Sequence, residues 1–228
     1  ETMNYNYLAS DNDMADMYAM DFETLEYFLT RGSLADLETE DVNGVERSAA
    51  EIIWDVSQGF ELSPQFLLVL LQREQSLIED DNPSQDQLDW ALGYAVCDDC
   101  AKDDPRIQKY KGFGNQLYYA AKRIRESYLD DLESRGYTVS GIGPGIEIEI
   151  DGLDVVPVNN ATSVLYTYTP HLHGNENFYI IWQEWFTHVY PSGTLLQDTD
   201  TGGIWYIQLG KRRAITSSTA YYSRFGNQ

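Results

Sequence analysis

Basic residues are scarce in this chain: 15 Lys and Arg stand against 37 Asp and Glu, for a formal net charge of -22. A surface so acidic repels phosphate backbones, which argues against nucleic acid as a partner. The acid is clustered in residues 9–42 and again from Glu79 to Asp104. It reads as a solvated surface, with a metal site as the sharper alternative. No stretch matches the spacing of a calcium-binding loop, so no metal or other cofactor is expected. No apolar run reaches the length of a membrane-spanning helix. No signal peptide is visible either, and an export signal removed from ahead of Glu1 is the expectation.

Cysteine is nearly absent. The two present, Cys97 and Cys100, enclose an acidic pair, Asp98-Asp99. Structural zinc needs four ligands, and the three His residues, His171, His173 and His188, lie far along the chain. Negative charge between the sulfurs disfavours a redox-active thiolate. A local disulfide is expected ahead of free thiols or a metal site.

What the chain does have is apolar and aromatic mass. Hydrophobic residues make up 43% and include 17 Tyr and 5 Trp, enough for a sizeable core. Tyr and Trp in half-exposed positions also suit stacking on sugar rings.

Residues 1–19 lack periodicity and read as an N-terminal arm. Helical spacing covers Phe22–Leu29. Residues 33–47 read as an acidic loop, followed by a helix over 48–57. Ser63 and Pro64 mark a helix start. The helix they open, Gln65 to about Ile78, is apolar nearly all round and should be central. Further helices are expected over 85–92, 114–132 (ended by Gly136), 159–166 and 175–188, with a Cys loop over 93–109. The alternation Ile146-Glu147-Ile148-Glu149-Ile150 before Asp151-Gly152 predicts a β-hairpin. Short strands follow at 203–209 and 212–215, then a last turn near 218–223.

Glu74 is the candidate catalytic residue. A carboxylate at the exposed end of a buried helix has apolar packing on one side and solvent on the other. Desolvation there favours the protonated form that a general acid needs. The bland alternative is an ordinary surface Glu.

The segment Leu70-Leu71-Gln72-Arg73-Glu74-Gln75-Ser76-Leu77-Ile78 resembles the helix that carries the catalytic Glu in lysozyme-like, peptidoglycan-cleaving enzymes: lytic transglycosylases, goose-type lysozymes and bacterial glucosaminidases. Their usual Glu-Ser is Glu-Gln-Ser here. A more specific resemblance is to bacterial surface proteins with a lysozyme-like domain. It rests on Ser48-Ala49-Ala50-Glu51-Ile52-Ile53, Leu62-Ser63-Pro64, Leu88 to Tyr94, Lys111 to Gln116, Asn160 to Pro170, Asn177-Phe178 and Trp182, in order from residue 48 to residue 182.

The resemblance implies a mainly α (α+β) fold: a lysozyme-like helical domain over 20–190 with a β-hairpin lobe, and a small β-rich segment over 191–228. It implies an exported, extracellular enzyme acting on the β-1,4 backbone of peptidoglycan, with Glu74 as general acid and then base. The alternative is a non-catalytic glycan-binding module on the same fold. Around Glu74 the resemblance places Gln75 and Ser76, and Leu92-Gly93-Tyr94 resembles a cleft-lining loop. Tyr166-Thr167-Tyr168-Thr169-Pro170 resembles a Tyr-Asn-x-Gly-Pro element without its Asn and Gly. Either Tyr166 or Tyr168 would present a hydroxyl to Glu74, or both pack in the core. Asn115 and Gln116 would bind N-acetyl groups, or Asn115 caps a helix.

A second carboxylate has no convincing motif; Glu79, Asp89, Asp98, Glu147 and Glu149 are the possibilities. A lytic transglycosylase needs none. The C-terminal block Gly203–Ile215 resembles short β-rich repeats of bacterial surface proteins, with Lys211, Arg212 and Arg213 suited to anionic wall polymer or forming an ordinary solvated hairpin.

Overall fold

A computed structural model describes residues 3–96, 103–187, 190, 192–198, 201–208 and 211–226. The chain divides into two compact units, Glu1–Glu184 and Trp185–Gln228. It is α+β, with helices joined by small antiparallel sheets. Among the described residues no helix is long and apolar enough to cross a membrane. Cys97 and Cys100, and with them the expected disulfide, lie outside the described residues.

In the first unit the central element is α4 (Pro64–Gln75). Phe66 through Leu71 are all fully buried, as six consecutive apolar side chains require when they point to every side of a helix. Pro64 occupies the first helical position, where its missing N–H breaks no bond. Ser63 sits at the N-cap, yet its hydroxyl makes no capping bond; its backbone N–H donates to Met14 O instead. The helix ends earlier than its apolar pattern suggests. Ser76 turns left-handed at φ 57°, and Leu77 and Ile78 are buried beyond the helix.

Against α4 pack α3 (Ala49–Phe60) and, through side chains, α5 (Gln85–Asp89) by Gln87, α8 (Asn160–Tyr168) by Tyr168 and the start of α9 (Leu172–Phe186) by Phe178, while α2 (Phe22–Leu29) packs on α3. Ser48 and Glu51 form a reciprocal capping box that fixes the start of α3. The helix expected over 114–132 runs from Phe113 to Arg135 in three parts. α6 (Phe113–Arg123) leads into a π-helical segment, Ile124–Leu129, and then α7 (Asp130–Arg135). Gly136, at φ 81°, ends it in the left-handed conformation that glycine adopts without cost.

Two sequence expectations are corrected. The N-terminal stretch is no loose arm over its described residues. Its short helix α1 (Asp11–Ala15) is capped by Ser10, and Leu8, Ala9 and Met14 are buried. Asn6 accepts from Val156 N and Val158 N, and Asp11 accepts from Ala161 N. These contacts join positions some 150 residues apart, which no local periodicity reveals. The acidic loop over 33–47 contains a hairpin, β1 (Glu38–Glu40) with β2 (Glu46–Ser48). Its turn is organised by Asp41, whose carboxylate accepts from Asn43 N and Val45 N and is held below its ordinary range by those bonds. The hairpin lies so close to α6 that a Cβ on Gly114 would stand 2.4 Å from Glu40 O.

Strands β3 (Ile148–Ile150) and β4 (Leu153–Val155) form the expected second hairpin. Asp151 and Gly152 both take positive φ, 48° and 83°, as a two-residue type I′ turn demands. Asp151 also accepts from Leu172 N at 2.8 Å and faces His171 Nδ1 at 3.2 Å, so the hairpin tip caps the start of α9. These bonds hold the Asp151 carboxyl below 3.8. A depressed carboxylate stabilises the fold above its unfolded pKa and loses that contribution as pH falls through the folded value. The Leu172 amide resonance should therefore carry an acid transition that lies below the ordinary Asp range, and Asp151→Asn should remove it.

The second unit holds a three-stranded antiparallel sheet, β5 (Leu195–Gln197), β6 (Ile204–Gln208) and β7 (Lys211–Ile215), followed by α10 (Ser218–Phe225). β5 was not legible as a strand in the sequence. Phe225 and Tyr221 pack together, Phe225 meets Tyr206, and Arg212 lies 4.7 Å over the Trp205 ring.

Candidate active site

Glu74 ends the central helix beside Arg73, which comes from the same turn. The Arg73 side chain is 2% exposed and that of Glu74 is 23% exposed. Arg73 Nε donates to Glu74 Oε1 at 2.9 Å, and Nη2 donates to the same oxygen. Nη2 also reaches the Thr169 hydroxyl at 3.1 Å. The guanidinium is stacked near the rings of Tyr168 and Phe178, at 5.7 and 5.9 Å. Its Nη1 is buried with no hydrogen-bond partner among the described residues. One carboxylate oxygen is thus fixed by a buried cation. The other, Oε2, lies toward Gly93, where an added Cβ would stand 3.4 Å away.

The segment Leu92-Gly93-Tyr94 is held against this carboxylate by Gln116, a fully buried side chain. Its Oε1 accepts from Leu92 N at 3.3 Å and Tyr94 N at 2.9 Å. Its Nε2 donates to Tyr94 O at 3.1 Å and Tyr110 O at 2.8 Å. Every hydrogen-bonding position of the amide is engaged. Gln116 is therefore a positioning residue for the loop, which corrects the expectation that it binds substrate directly. Asn115 does not cap α6. The N-cap is Gly112, at φ 103°, and Asn115 Nδ2 donates back to Lys111 O at 2.8 Å.

The two tyrosines of α8 divide. Tyr166 is fully buried and its hydroxyl donates to Tyr5 O at 2.9 Å, so it is a core residue that anchors the N-terminal stretch. Burial raises its phenol well above its ordinary range. Tyr166→Phe should cost about 1 kcal/mol in denaturant unfolding, the net worth of one hydrogen bond. Tyr168 faces the site. Its hydroxyl donates to Leu92 O at 2.8 Å. Its phenol is pushed well above 10 first by desolvation and then by the Glu74 charge, with Arg73 opposing. Helical spacing explains the division, because residues two apart point to different sides of a helix.

Gln75 turns toward the loop from the other side, its Nε2 donating to Trp90 O at 3.4 Å. Ser76 is exposed at the helix's left-handed end. Tyr94 is half-buried with its ring edge-to-face against Tyr110 at 5.2 Å. Desolvation, then Tyr110, raises its phenol above its ordinary range. Tyr128, from the π segment, bears on both Tyr94 and Tyr168. π-Helical turns widen a helix locally and recur at functional sites.

Of the possible second carboxylates, Asp89 is engaged by Lys111 at 3.2 Å and Gln85 at 3.0 Å, and Glu79 by Gln72 and Arg31. Glu147 and Glu149 are exposed near the β3–β4 hairpin, and Asp98 lies outside the described residues. Glu74 is the carboxylate that acts on Tyr168. Among the described residues no three His, Cys, Asp or Glu side chains gather as they would to hold a metal.

Arg73, Thr169 and Tyr128 were not singled out from the sequence. Arg73 stood inside the motif that carried Glu74, but an Arg in a last helical turn ordinarily points to water. Nothing in Ile124–Leu129 marks a π-helix. A cavity with an apolar floor and a volume of about 420 Å³ lies elsewhere in this unit, between α3, α6 and the β1–β2 turn. Comparison with family models, with curated proteins and with solved structures finds no match to this chain.

Proposed function

We propose that the first unit is a lysozyme-like domain of an exported protein that cleaves the β-1,4 backbone of peptidoglycan. The observation that supports this most is the convergence of Gly93 and Tyr168 on Glu74. A glycine at φ 62° beside Oε2 leaves room for a sugar to approach that oxygen. A proton on Oε2 passes to the glycosidic oxygen as the C1–O bond breaks, and the positive charge that develops at C1 is balanced by the carboxylate. Tyr168 keeps its proton at neutral pH and holds the Leu92 carbonyl, which keeps the loop in place during the step.

With no second carboxylate beside Glu74 among the described residues, the transglycosylase course fits best. The muramic acid's own 6-hydroxyl attacks C1, its proton returns to Oε2, and an anhydro sugar leaves. Hydrolysis by water at the same centre would give a reducing end. Mass spectrometry of digested peptidoglycan separates these outcomes, and absence of both sinks the reading.

One observation favours a second reading, a glycan-binding module without turnover. Arg73 already spends two hydrogen bonds on Oε1, as in a structural ion pair. Retention of the protein on intact wall without release of fragments would select it.

A further inference from the structure

The cavity between α3, α6 and the β1–β2 turn is built differently from the Glu74 site. Its floor is apolar and includes Ile52, Val56, Phe60 and Tyr118. Its rim is polar. Arg47 pairs with both acids, its Nε 3.4 Å from Asp41 Oδ2 and its Nη1 3.4 Å from Asp55 Oδ2. Apolar walls with a few convergent polar groups are the composition of small-ligand sites. Gly59, in the last turn of α3, lines this cavity and has nothing within 4 Å of where a Cβ would stand. The absence of a side chain there leaves the cavity open at this point.

The cavity is joined to the Glu74 site by aromatic rings. Tyr94 meets Tyr110 at 5.2 Å, Tyr110 meets Tyr119 at 4.9 Å, Tyr119 meets Tyr118 at 5.2 Å, and Tyr118 meets Phe60 at 5.2 Å. The four tyrosines are half-buried. A row of half-exposed tyrosines offers apolar patches to the CH faces of sugar rings, with hydroxyls at its edge. Asp41, Asp55 and Arg47 at its far end supply acceptors and donors for hydroxyl and amide groups.

We propose that this row and cavity form a remote subsite for an extended β-1,4-linked N-acetyl-hexosamine chain, which runs from Glu74 past Tyr94, Tyr110 and Tyr119 and seats its far sugar over Tyr118 and Phe60. The identity of the ligand rests on the glycan reading of Glu74; the site itself rests on the cavity, Gly59 and the tyrosine row. A short oligomer occupies only the part near Glu74, and a longer one gains the cavity.

The test is calorimetric binding of an N-acetylglucosamine dimer and hexamer to the unchanged protein, to Gly59→Met and to Asp55→Ala. Gly59→Met fills the cavity from an open position and should not lower the melting temperature. The hexamer should bind the unchanged protein more tightly than the dimer does. Gly59→Met should weaken the hexamer by about tenfold or more, a difference of about 1.4 kcal/mol, and leave the dimer unaffected. Asp55→Ala should weaken the hexamer in the same sense. Equal hexamer affinity in Gly59→Met and the unchanged protein overturns the subsite, even if the wall is cleaved. No binding of the hexamer to the unchanged protein overturns it as well. Length-dependent binding lost in Gly59→Met, in a protein that releases no wall fragments, upholds the subsite and removes only the catalytic reading.

Discussion

Glu74→Gln is expected to lower release of peptidoglycan fragments by about 10²–10⁴-fold, the usual worth of general acid–base catalysis. Gln keeps the volume and one acceptor oxygen, so Arg73 retains a partner for Nε. It cannot donate a proton to a leaving oxygen and take one back. The geometry adds a consequence that the sequence did not contain. Arg73 is almost wholly buried, and neutralising Glu74 leaves that cation without its counter-charge. Removing one member of a buried pair costs about 3–5 kcal/mol when nothing replaces it. Glu74 is partly exposed and Gln still accepts, which reduces the loss toward the lower end of that range or below. Assays therefore belong well below the melting temperature of the variant, measured alongside. The double variant Arg73→Met with Glu74→Gln removes both charges and should recover part of the stability but none of the activity. A single variant that still releases fragments at the unchanged rate removes Glu74 from the mechanism. An equal melting temperature for the unchanged and single-variant proteins would show that the ion pair contributes nothing.

Gln116→Leu carries the second large expectation. Leucine has similar bulk and fits a site that is fully enclosed, so packing changes little. It can satisfy none of the four backbone groups that Gln116 holds: Leu92 N, Tyr94 N, Tyr94 O and Tyr110 O. Each buried group left unpaired costs about 1–3 kcal/mol, so a loss above about 3 kcal/mol is expected from denaturant unfolding. The loss should be accompanied by faster amide exchange at Leu92 and Tyr94, because these groups lose their anchor. Since this loop places Gly93 beside Glu74, any glycan cleavage should fall in the fraction that remains folded. A change of less than about 1 kcal/mol would mean that the loop is held by its own turns and not by Gln116.

Local chemistry made much of the framework legible. Pro64 and Gly136 set the conditions for a start and a stop within one turn. Asp151-Gly152 specifies its own turn. The burial of α4 follows from an unbroken apolar run, and the position of Glu74 at its end follows from that. What failed was whatever depended on distant partners. The N-terminal stretch is ordered by Asn6, Leu8 and Asp11, which meet residues near position 160, and nothing within residues 3–15 announces that. The β1–β2 hairpin is short and acidic on both strands, so its alternation is weak; it is placed by its approach to Gly114.

The same division runs through the candidate site. The sequence by itself determined that a carboxylate would stand at the end of a buried helix, and that a helix would cover most of 159–166. Only the tertiary structure decided which tyrosine turns to Glu74 and which enters the core. It also decided that Gln116 spends its whole amide on the backbone and that Arg73 is buried over two aromatic rings. The physical reason is that hydrogen bonds and ion pairs in a buried site join groups from different elements. Their partners are selected by how α4, α6 and α8 pack, and sequence spacing within any one of them carries no record of that choice.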